Sequence, residues 1–165
     1  MTKSFVGLGS NLGDRERTLR RAVEEIGFLP GTEVVRVSSF YRTDPVGDTE
    51  QPEYLNAVAE LRTELPPPGL LWNLQRIESR LGRGKRNRSG PRPVDLDLLF
   101  YDGLVLSIPG LDLPHPRFAE RSFVLVPMVE LDPGWLDPRS GLRMDELLRE
   151  RPGRGRVRWS RRFEA

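Results

Sequence analysis

Two aspartates separated by one residue, Asp95 and Asp97, have the clearest potential for chemistry in this sequence. They lie in the segment 94–101, whose apolar composition predicts a β-strand. Because successive side chains of a strand point to opposite faces, the two carboxylates share one face, with Cα atoms about 6–7 Å apart. Neighbouring carboxylates repel one another unless a cation lies between them. The pair therefore fits a Mg²⁺ ion that also binds nucleotide phosphates. An ordinary edge strand with a polar face is the alternative.

The segment immediately before this strand is strongly basic. Its cationic residues are Arg83, Lys85, Arg86, Arg88 and Arg92, and it contains two glycines and almost no apolar side chain. A guanidinium group binds two phosphate oxygens at once. A basic run by itself is usually a solvated loop, but beside an acidic pair it favours metal-bridged polyphosphate binding.

The charge of the chain is concentrated locally. The sequence has 165 residues and a net charge of +2, yet residues 76–92 and residues 149–162 each carry seven basic residues against one glutamate. The rest of the chain is therefore acidic. Such segregation predicts a polyanionic partner, with nucleotide phosphates and nucleic acid both possible from this pattern.

Composition excludes several functional classes. The chain has no cysteine and one histidine, His115, so disulfides, thiolate nucleophiles and histidine-rich metal sites are excluded. It lacks the P-loop pattern, and Gly7–Gly13 misses the dinucleotide fingerprint by one residue. No apolar run is long enough for a membrane helix, and no signal-peptide core follows Met1. We expect one cytoplasmic domain over residues 1–165 that does not bind a membrane.

The elements that must position these residues follow from periodicity and from turn signals. We expect strands at 4–9, 34–41, 55–62 and 94–101, and helices after Asp14 and after Pro66–Pro68. Asp102–Gly103 predicts a tight hairpin that returns residues 104–106 along the last of these strands. Helices at 120–131 and 144–149 and a strand at 156–159 complete the chain. The order β-α-β-β-α-β predicts an α+β sandwich of ferredoxin-like type, with a mainly antiparallel sheet and a helical C-terminal extension.

Taken together, these segments resemble 6-hydroxymethyl-7,8-dihydropterin pyrophosphokinases of folate biosynthesis. The matching pieces are Gly9–Gly13, Ser38–Thr43, Pro52 with Tyr54–Ala57, Gln75–Glu78, Gly90–Asp97, Leu113–Arg117, and Arg121 with Phe123. The resemblance covers about residues 4–150. Its most specific part is the run from Gly90 to Asp97.

The resemblance implies an enzyme that transfers pyrophosphate from ATP to the hydroxymethyl oxygen of the pterin and releases AMP. It implies that Asp95 and Asp97 hold two Mg²⁺ ions, and that Arg83 and Arg92 join them as catalytic residues. The implied ATP-binding residues are Gln75, Glu78, Arg83, Lys85, Arg88, Arg92, His115 and Arg121. The implied pterin-binding residues are Thr43, Asp44, Pro45, Val46, Tyr54, Asn56 and Phe123. The resemblance leads us to expect ATP and the pterin as substrates, no nucleic-acid partner, and a monomer.

The sequence departs from the best-known relatives at a few positions. Ser89 stands where a tryptophan is usual, Gly110 where some relatives have arginine, and Pro116 where some have tyrosine. The basic loop is one residue shorter, which leaves open whether Lys85 or Arg86 contacts phosphate. A rival interpretation is a nucleic-acid-binding module that uses the arginines of residues 151–162, with Trp159 among them.

Overall fold

A six-stranded antiparallel sheet organises the described part of the chain. The computed structural model describes residues 1–44, 52–82, 93–151 and 157–164. In chain order the elements are β1 (Thr2–Ser10), α1 (Arg15–Gly27), β2 (Thr32–Val37), β3 (Phe40–Thr43), β4 (Tyr54–Thr63), α2 (Pro67–Arg80), β5 (Asp95–Tyr101), β6 (Leu106–Ile108), β7 (Leu111–Leu113), α3 (Ser122–Leu131), α4 (Met144–Arg149) and β8 (Val157–Arg161). The sheet order is β5-β1-β4-β3-β8, and β2 also pairs with β4. The predicted α+β fold is confirmed.

The first two helices begin where the sequence signals place them. The Asp14 carboxylate caps α1 by accepting a hydrogen bond from the Arg17 amide at 3.2 Å. Proline occupies the first position of α2, where no intrahelical N–H is needed. Both helices bury an apolar stripe, which includes Leu19 and Ile26 of α1 and Leu74 and Ile77 of α2.

Alternation along the strands gives the sheet two different faces. On one face, residues such as Val6, Ala57 and Leu96 pack in one core with α1 and α2. On the other face, Phe5 and Val58 pack in a second core with α3 and α4. On the same face, Asp95 and Asp97 of β5 are half-buried rather than buried, so this part of the face is accessible to solvent. None of the described helices is long and apolar enough to cross a membrane.

The prediction of one continuous strand over residues 34–41 is wrong. The strand is interrupted at Ser38 and Ser39 and forms β2 and β3. At the break, the Val58 amide donates to Ser38 Oγ at 2.9 Å, and the Ser39 amide donates to Glu130 Oε2 at 2.8 Å. The Ser38 amide still donates to the Val58 carbonyl, but side-chain oxygens accept from the Val58 and Ser39 amides, so the regular pairing stops there.

The predicted hairpin after β5 is also wrong in its pairing. Asp102 forms the turn with a φ of 48°, but β6 pairs with β7. The outer edge of β5 is used by other groups, since the Leu96 amide donates to Glu78 at 3.2 Å and the Leu99 carbonyl accepts from the His115 amide at 2.9 Å. These two hydrogen bonds hold the Glu78 side chain of α2 and the segment that contains His115 beside β5.

Candidate active site

The predicted site residues of the sheet lie in one row across four strands. Asp95 pairs with Gly9, Gly9 with Asn56, and Asn56 with Tyr41, which belong to β5, β1, β4 and β3. Paired residues of an antiparallel sheet point to the same face. The row therefore spans from the acidic pair to the residues that the sequence assigns to the pterin, on the face that carries α3.

The acidic pair lies on the open face. Asp95 and Asp97 are half-buried, whereas the alternate residues Leu96 and Leu98 are buried in the core beneath α1 and α2. Asp97 opposes Gly7 of β1 just as Asp95 opposes Gly9, so no neighbouring side chain from β1 stands between the carboxylates and solvent. The side chain of Asp97 remains 43% exposed, which leaves room for a ligand.

A cationic group and the histidine approach this pair from the segment before α3. The Arg121 guanidinium lies 3.6 Å from Asp97 Oδ2. Burial lowers the pKa of His115 below its usual value, and Asp97 opposes that effect, while Arg121 and Arg117 add to it. His115 Nδ1 accepts a hydrogen bond from the Arg117 amide at 3.1 Å. In the neutral ring the proton is therefore on Nε2, which makes that nitrogen the donor.

Glu78 is buried beneath the acidic strand. Its side chain belongs to α2, and its Oε2 atom accepts the Leu96 amide at 3.2 Å. Leu96 lies between the two aspartates, so Glu78 fixes the strand that carries them. Gln75, one turn earlier on the same helix, is exposed.

Asn56 and its neighbours form the opposite end of the row. Asn56 is 5% exposed, and its Nδ2 donates to Thr43 Oγ1 at 2.6 Å. Tyr54 pairs with Thr43 at the open end of the two strands. Phe123 lies in the first turn of α3, and its ring centroid is 5.5 Å from the Arg121 guanidinium. Asp44 follows β3 and is exposed.

Gly9 contributes to the site because it has no side chain, and it was not among the residues predicted from the sequence. A Cβ atom at this position would lie 3.0 Å from Asn56 Oδ1. The amide group of Asn56 thus lies over Gly9, a position that it could not keep if residue 9 had a side chain. The signal was present in the sequence as two alternating glycines, Gly7 and Gly9, inside a strand, since glycine there often permits the close approach of another group.

A second network that the sequence did not reveal attaches α3 to β3. The Tyr41 hydroxyl donates to Glu130 Oε1, and the other carboxylate oxygen accepts the Ser39 amide. Burial, followed by the hydrogen bond to Glu130, raises the pKa of Tyr41 well above that of free tyrosine. The phenol therefore keeps its proton. Glu130 holds the helix whose first turn carries Phe123.

Several expected site residues lie outside the described residues. They are Pro45, Val46, Arg83, Lys85, Arg86, Arg88 and Arg92. Their roles stay predictions.

The donor set on the open face is compatible with magnesium. Within residues 1–44, 52–82, 93–151 and 157–164, no group of three or more acidic or histidine side chains could surround a metal ion. Mg²⁺ commonly takes one or two carboxylates and completes its shell with water and substrate phosphate oxygens. The half-buried pair fits this demand, because both carboxylates face the open side of the sheet.

An α+β fold with an acidic pair beside Arg121 is the arrangement expected of an enzyme that handles phosphate groups. Residues 5–133 match the family model of 7,8-dihydro-6-hydroxymethylpterin-pyrophosphokinase (HPPK). The chain belongs to this family. It is thus a pyrophosphokinase of folate biosynthesis.

Relatives with this activity in their names cover most of the chain. A 2-amino-4-hydroxy-6-hydroxymethyldihydropteridine pyrophosphokinase of Methylorubrum extorquens is 48% identical over 133 residues, which are 81% of this chain and 84% of the relative. The protein of the same name from Synechocystis sp. is 43% identical over 147 residues, or 89% of this chain and 75% of the relative.

Solved structures support the same fold at low sequence identity. A crystal structure of HPPK-DHPS in complex with substrates has a TM-score of 0.70 and 12% identity, and the match covers 90% of this chain. Plasmodium falciparum HPPK-DHPS, wild type with SDX-DHP, has a TM-score of 0.68 and 10% identity over 91% of this chain. The chain spans 43% of the length of each of these two proteins.

Proposed function

We propose that this chain transfers pyrophosphate from ATP to the hydroxymethyl group of 6-hydroxymethyl-7,8-dihydropterin and releases AMP. The observation that carries the proposal is the row from Asp95 to Asn56 across Gly9. It places a carboxylate suited to magnesium and phosphate on the same open face as a buried amide suited to the edge of a flat heterocycle.

The reaction is an in-line displacement at the β-phosphorus of ATP. The pterin hydroxymethyl oxygen forms a bond to this phosphorus, and the bond from the phosphorus to the oxygen of the α-phosphate breaks. The electron pair of that bond leaves with AMP, and the hydroxyl proton is lost. Such a transfer depends on alignment and on neutralising negative charge.

Asp95 and Asp97 are the residues proposed to hold two Mg²⁺ ions with the ATP phosphates. Bound magnesium supplies positive charge next to the phosphate oxygens and the attacking hydroxyl. Arg121, 3.6 Å from Asp97, adds a fixed positive charge on the same side. Burial lowers the pKa of His115, and the neutral ring can donate a hydrogen bond from Nε2 to a phosphate oxygen.

The two substrates are proposed to occupy opposite ends of the open face. The ATP side consists of Gln75, Glu78, Arg83, Lys85, Arg88, Arg92, His115 and Arg121, with Arg83 and Arg92 as catalytic phosphate clamps. Glu78 acts there through the strand that it holds, since its carboxylate is buried against Leu96. The pterin side consists of Thr43, Asp44, Pro45, Val46, Tyr54, Asn56 and Phe123. Aromatic rings can stack on the pterin, and the amide of Asn56 can bind its edge.

We further propose that residues 1–165 act as one pyrophosphokinase domain, in the cytoplasm and as a monomer. The two apolar cores lie on opposite faces of one sheet, which supports a single folding unit. Light scattering coupled to size-exclusion chromatography measures the mass directly, and a mass twice that of one chain contradicts the monomer.

The nucleotide that is released tests the reaction. Purified protein is incubated with ATP, Mg²⁺ and the pterin, and the nucleotides are separated by chromatography. We expect AMP in equal amount to the pterin diphosphate. Release of ADP identifies a transfer of one phosphate and contradicts the proposal, as does the absence of pterin-dependent AMP.

The acidic pair is tested by Asp97→Ala. We expect a loss of kcat of more than about a hundredfold, because removing one charge-stabilising group commonly costs that much. Unfolding should be almost unchanged, since Asp97 is partly exposed. Glu24→Ala, an exposed position on α1, is the matched control and should retain activity. Near-normal turnover by Asp97→Ala would remove the metal argument.

A further inference from the structure

The arginine-rich C-terminal segment packs against the pterin side of the sheet. Val157–Arg161 forms β8, which pairs with β3 in a register that places Val157 opposite Thr43 and Arg158 opposite Arg42. The family match ends at residue 133, before this strand. The segment is therefore not explained by the matched region.

Arg158 bridges the ends of the two strands that carry proposed pterin residues. Its Nη2 atom donates to Glu53 Oε2 and lies 3.5 Å from Asp44 Oδ1. Asp44 directly follows Thr43 at the end of β3, and Glu53 directly precedes Tyr54 at the start of β4. One guanidinium therefore ties together the two points at which the chain leaves and re-enters the sheet.

A second arginine holds the same place through the main chain. Arg15, the first residue of α1, donates from Nη1 to the Glu53 carbonyl at 2.6 Å. The main chain of Glu53 is thus fixed from α1, and its side chain from β8. Within the described part of the chain, the contact that fixes the carboxylate of Glu53 comes from Arg158.

The end of the chain anchors β8 in turn. The Phe163 ring packs against Phe40 with centroids 5.7 Å apart, and the Arg20 guanidinium lies 4.9 Å from the Phe163 centroid. Arg20 also donates to the Glu164 carbonyl, and Arg161 pairs with Glu16 at 3.4 Å. Two arginines of β8, Arg158 and Arg161, are therefore engaged by acidic side chains of the same chain, which disfavours a free polyanion-binding surface here.

We propose that Arg158 is a positioning residue that sets the affinity for the pterin by fixing Asp44 and Glu53 before the substrate binds; this inference rests on the proposed function. Because Asp44 and Glu53 are already ordered in the free enzyme, pterin binding does not have to supply the conformational entropy that ordering them would cost. Among the described residues Arg158 contacts Asp44 and Glu53 and none of the residues proposed to hold phosphate, so we expect the chemical step not to depend on it.

The kinetic test separates the two substrates. With saturating ATP, Arg158→Ala should raise the KM for the pterin about fivefold, the scale expected from exposed ion pairs. The kcat and the KM for ATP should change less than about twofold. Arg158→Lys keeps the charge and should recover part of the affinity. Arg162→Ala, an exposed arginine just beyond β8, is the matched control and should match the wild type.

A double-mutant cycle tests whether Arg158 acts through Glu53. Glu53→Gln alone should raise the KM for the pterin as Arg158→Ala does, and the combined variant should add little to either change. Direct pterin binding, measured with the α,β-methylene analogue of ATP present, should weaken by the same factor as the KM rises. The effect should shrink at about 1 M salt, where the Debye length falls to about 3 Å, because salt weakens the exposed ion pairs of the wild type.

The possible outcomes separate a failure of this inference from a failure of the proposed function. An active wild type with Arg158→Ala identical to Arg162→Ala overturns the inference alone, as does an additive cycle or an equal loss in kcat. A variant whose unfolding midpoint falls while its KM for the pterin stays unchanged also overturns it, because Arg158 is then only structural. If the wild type releases no AMP, the proposed function fails and the inference fails with it.

Discussion

At the scale of single residues, the open face depends on a missing side chain as much as on the charged ones. Asp95, Gly9 and Asn56 pair across three strands, and only a residue without Cβ in the middle of that row lets the Asn56 amide lie over it. The alternation of apolar and acidic residues could predict the direction of the aspartates. The contact between Gly9 and Asn56 could not be predicted, because it depends on strand register, which local sequence does not specify.

Gly9→Ala tests the need for this space. Its methyl group would lie 3.0 Å from Asn56 Oδ1, so the amide must shift. We expect the KM for the pterin to rise about tenfold, the effect of losing roughly one good hydrogen bond. Gly7→Ala is the matched control on the same face, since its methyl group would meet Leu99 Cδ1 at 3.5 Å, an ordinary contact. Equal steady-state constants for the two variants would contradict the role given to Gly9.

Tyr41→Phe tests the bond between β3 and α3. Removing the hydroxyl leaves Glu130 with one partner fewer and should lower the free energy of unfolding by about 1–3 kcal/mol at pH 7. Folding raises the pKa of Tyr41, so its contribution is complete below the unfolded pKa of about 10 and declines as pH rises above it. The difference from wild type in urea unfolding should therefore shrink above pH about 10. A difference that grows there would contradict the direction of this shift.

At the scale of elements, periodicity and capping predicted most of the fold, and the failures share one cause. Helices α1 and α2 begin at Asp14 and at the proline run because those signals are local. At the strand break the Ser39 amide donates to Glu130, and at the edge of β5, where the hairpin was expected, the Leu96 amide donates to Glu78; both glutamates are distant in sequence. When a distant side chain accepts a hydrogen bond from a strand amide, the strand pairing changes there, but the local amino-acid sequence carries no sign of it. Long-range polar contacts were therefore the part that the sequence could not supply.

Glu78→Ala tests whether α2 positions the acidic strand. The Leu96 amide would lose its acceptor, so the free energy of unfolding should fall by about 1–3 kcal/mol and kcat should fall with it. Glu78→Gln keeps a carbonyl oxygen at the same place and should preserve both values within about twofold in kcat. If the carboxylate instead served ATP directly, both variants would raise the KM for ATP to the same extent.

At the scale of the whole molecule, the two basic segments have different surroundings. The basic run at 76–92 adjoins the acidic pair in sequence, whereas the basic C-terminal segment is partly neutralised through Asp44, Glu53 and Glu16. The sequence could show that two basic segments exist. It could not show that the second one faces acidic partners, because those partners lie more than a hundred residues away along the chain.

The final prediction concerns how ligand binding stabilises the complete fold. With Mg²⁺ and the α,β-methylene analogue of ATP at about 100 times its Kd, the wild type should gain about 2.7 kcal/mol. For a domain of this size, that corresponds to a rise of roughly 5–10 °C in the unfolding midpoint. Asp97→Ala should lose most of the rise, and chelating the metal should lower the wild type to the same value, because both changes remove the bridge between carboxylate and phosphate. Glu24→Ala should keep the full rise. If Asp97→Ala kept it as well, arginines rather than a metal would account for the affinity for ATP, and the acidic pair would be an ordinary polar face of an edge strand.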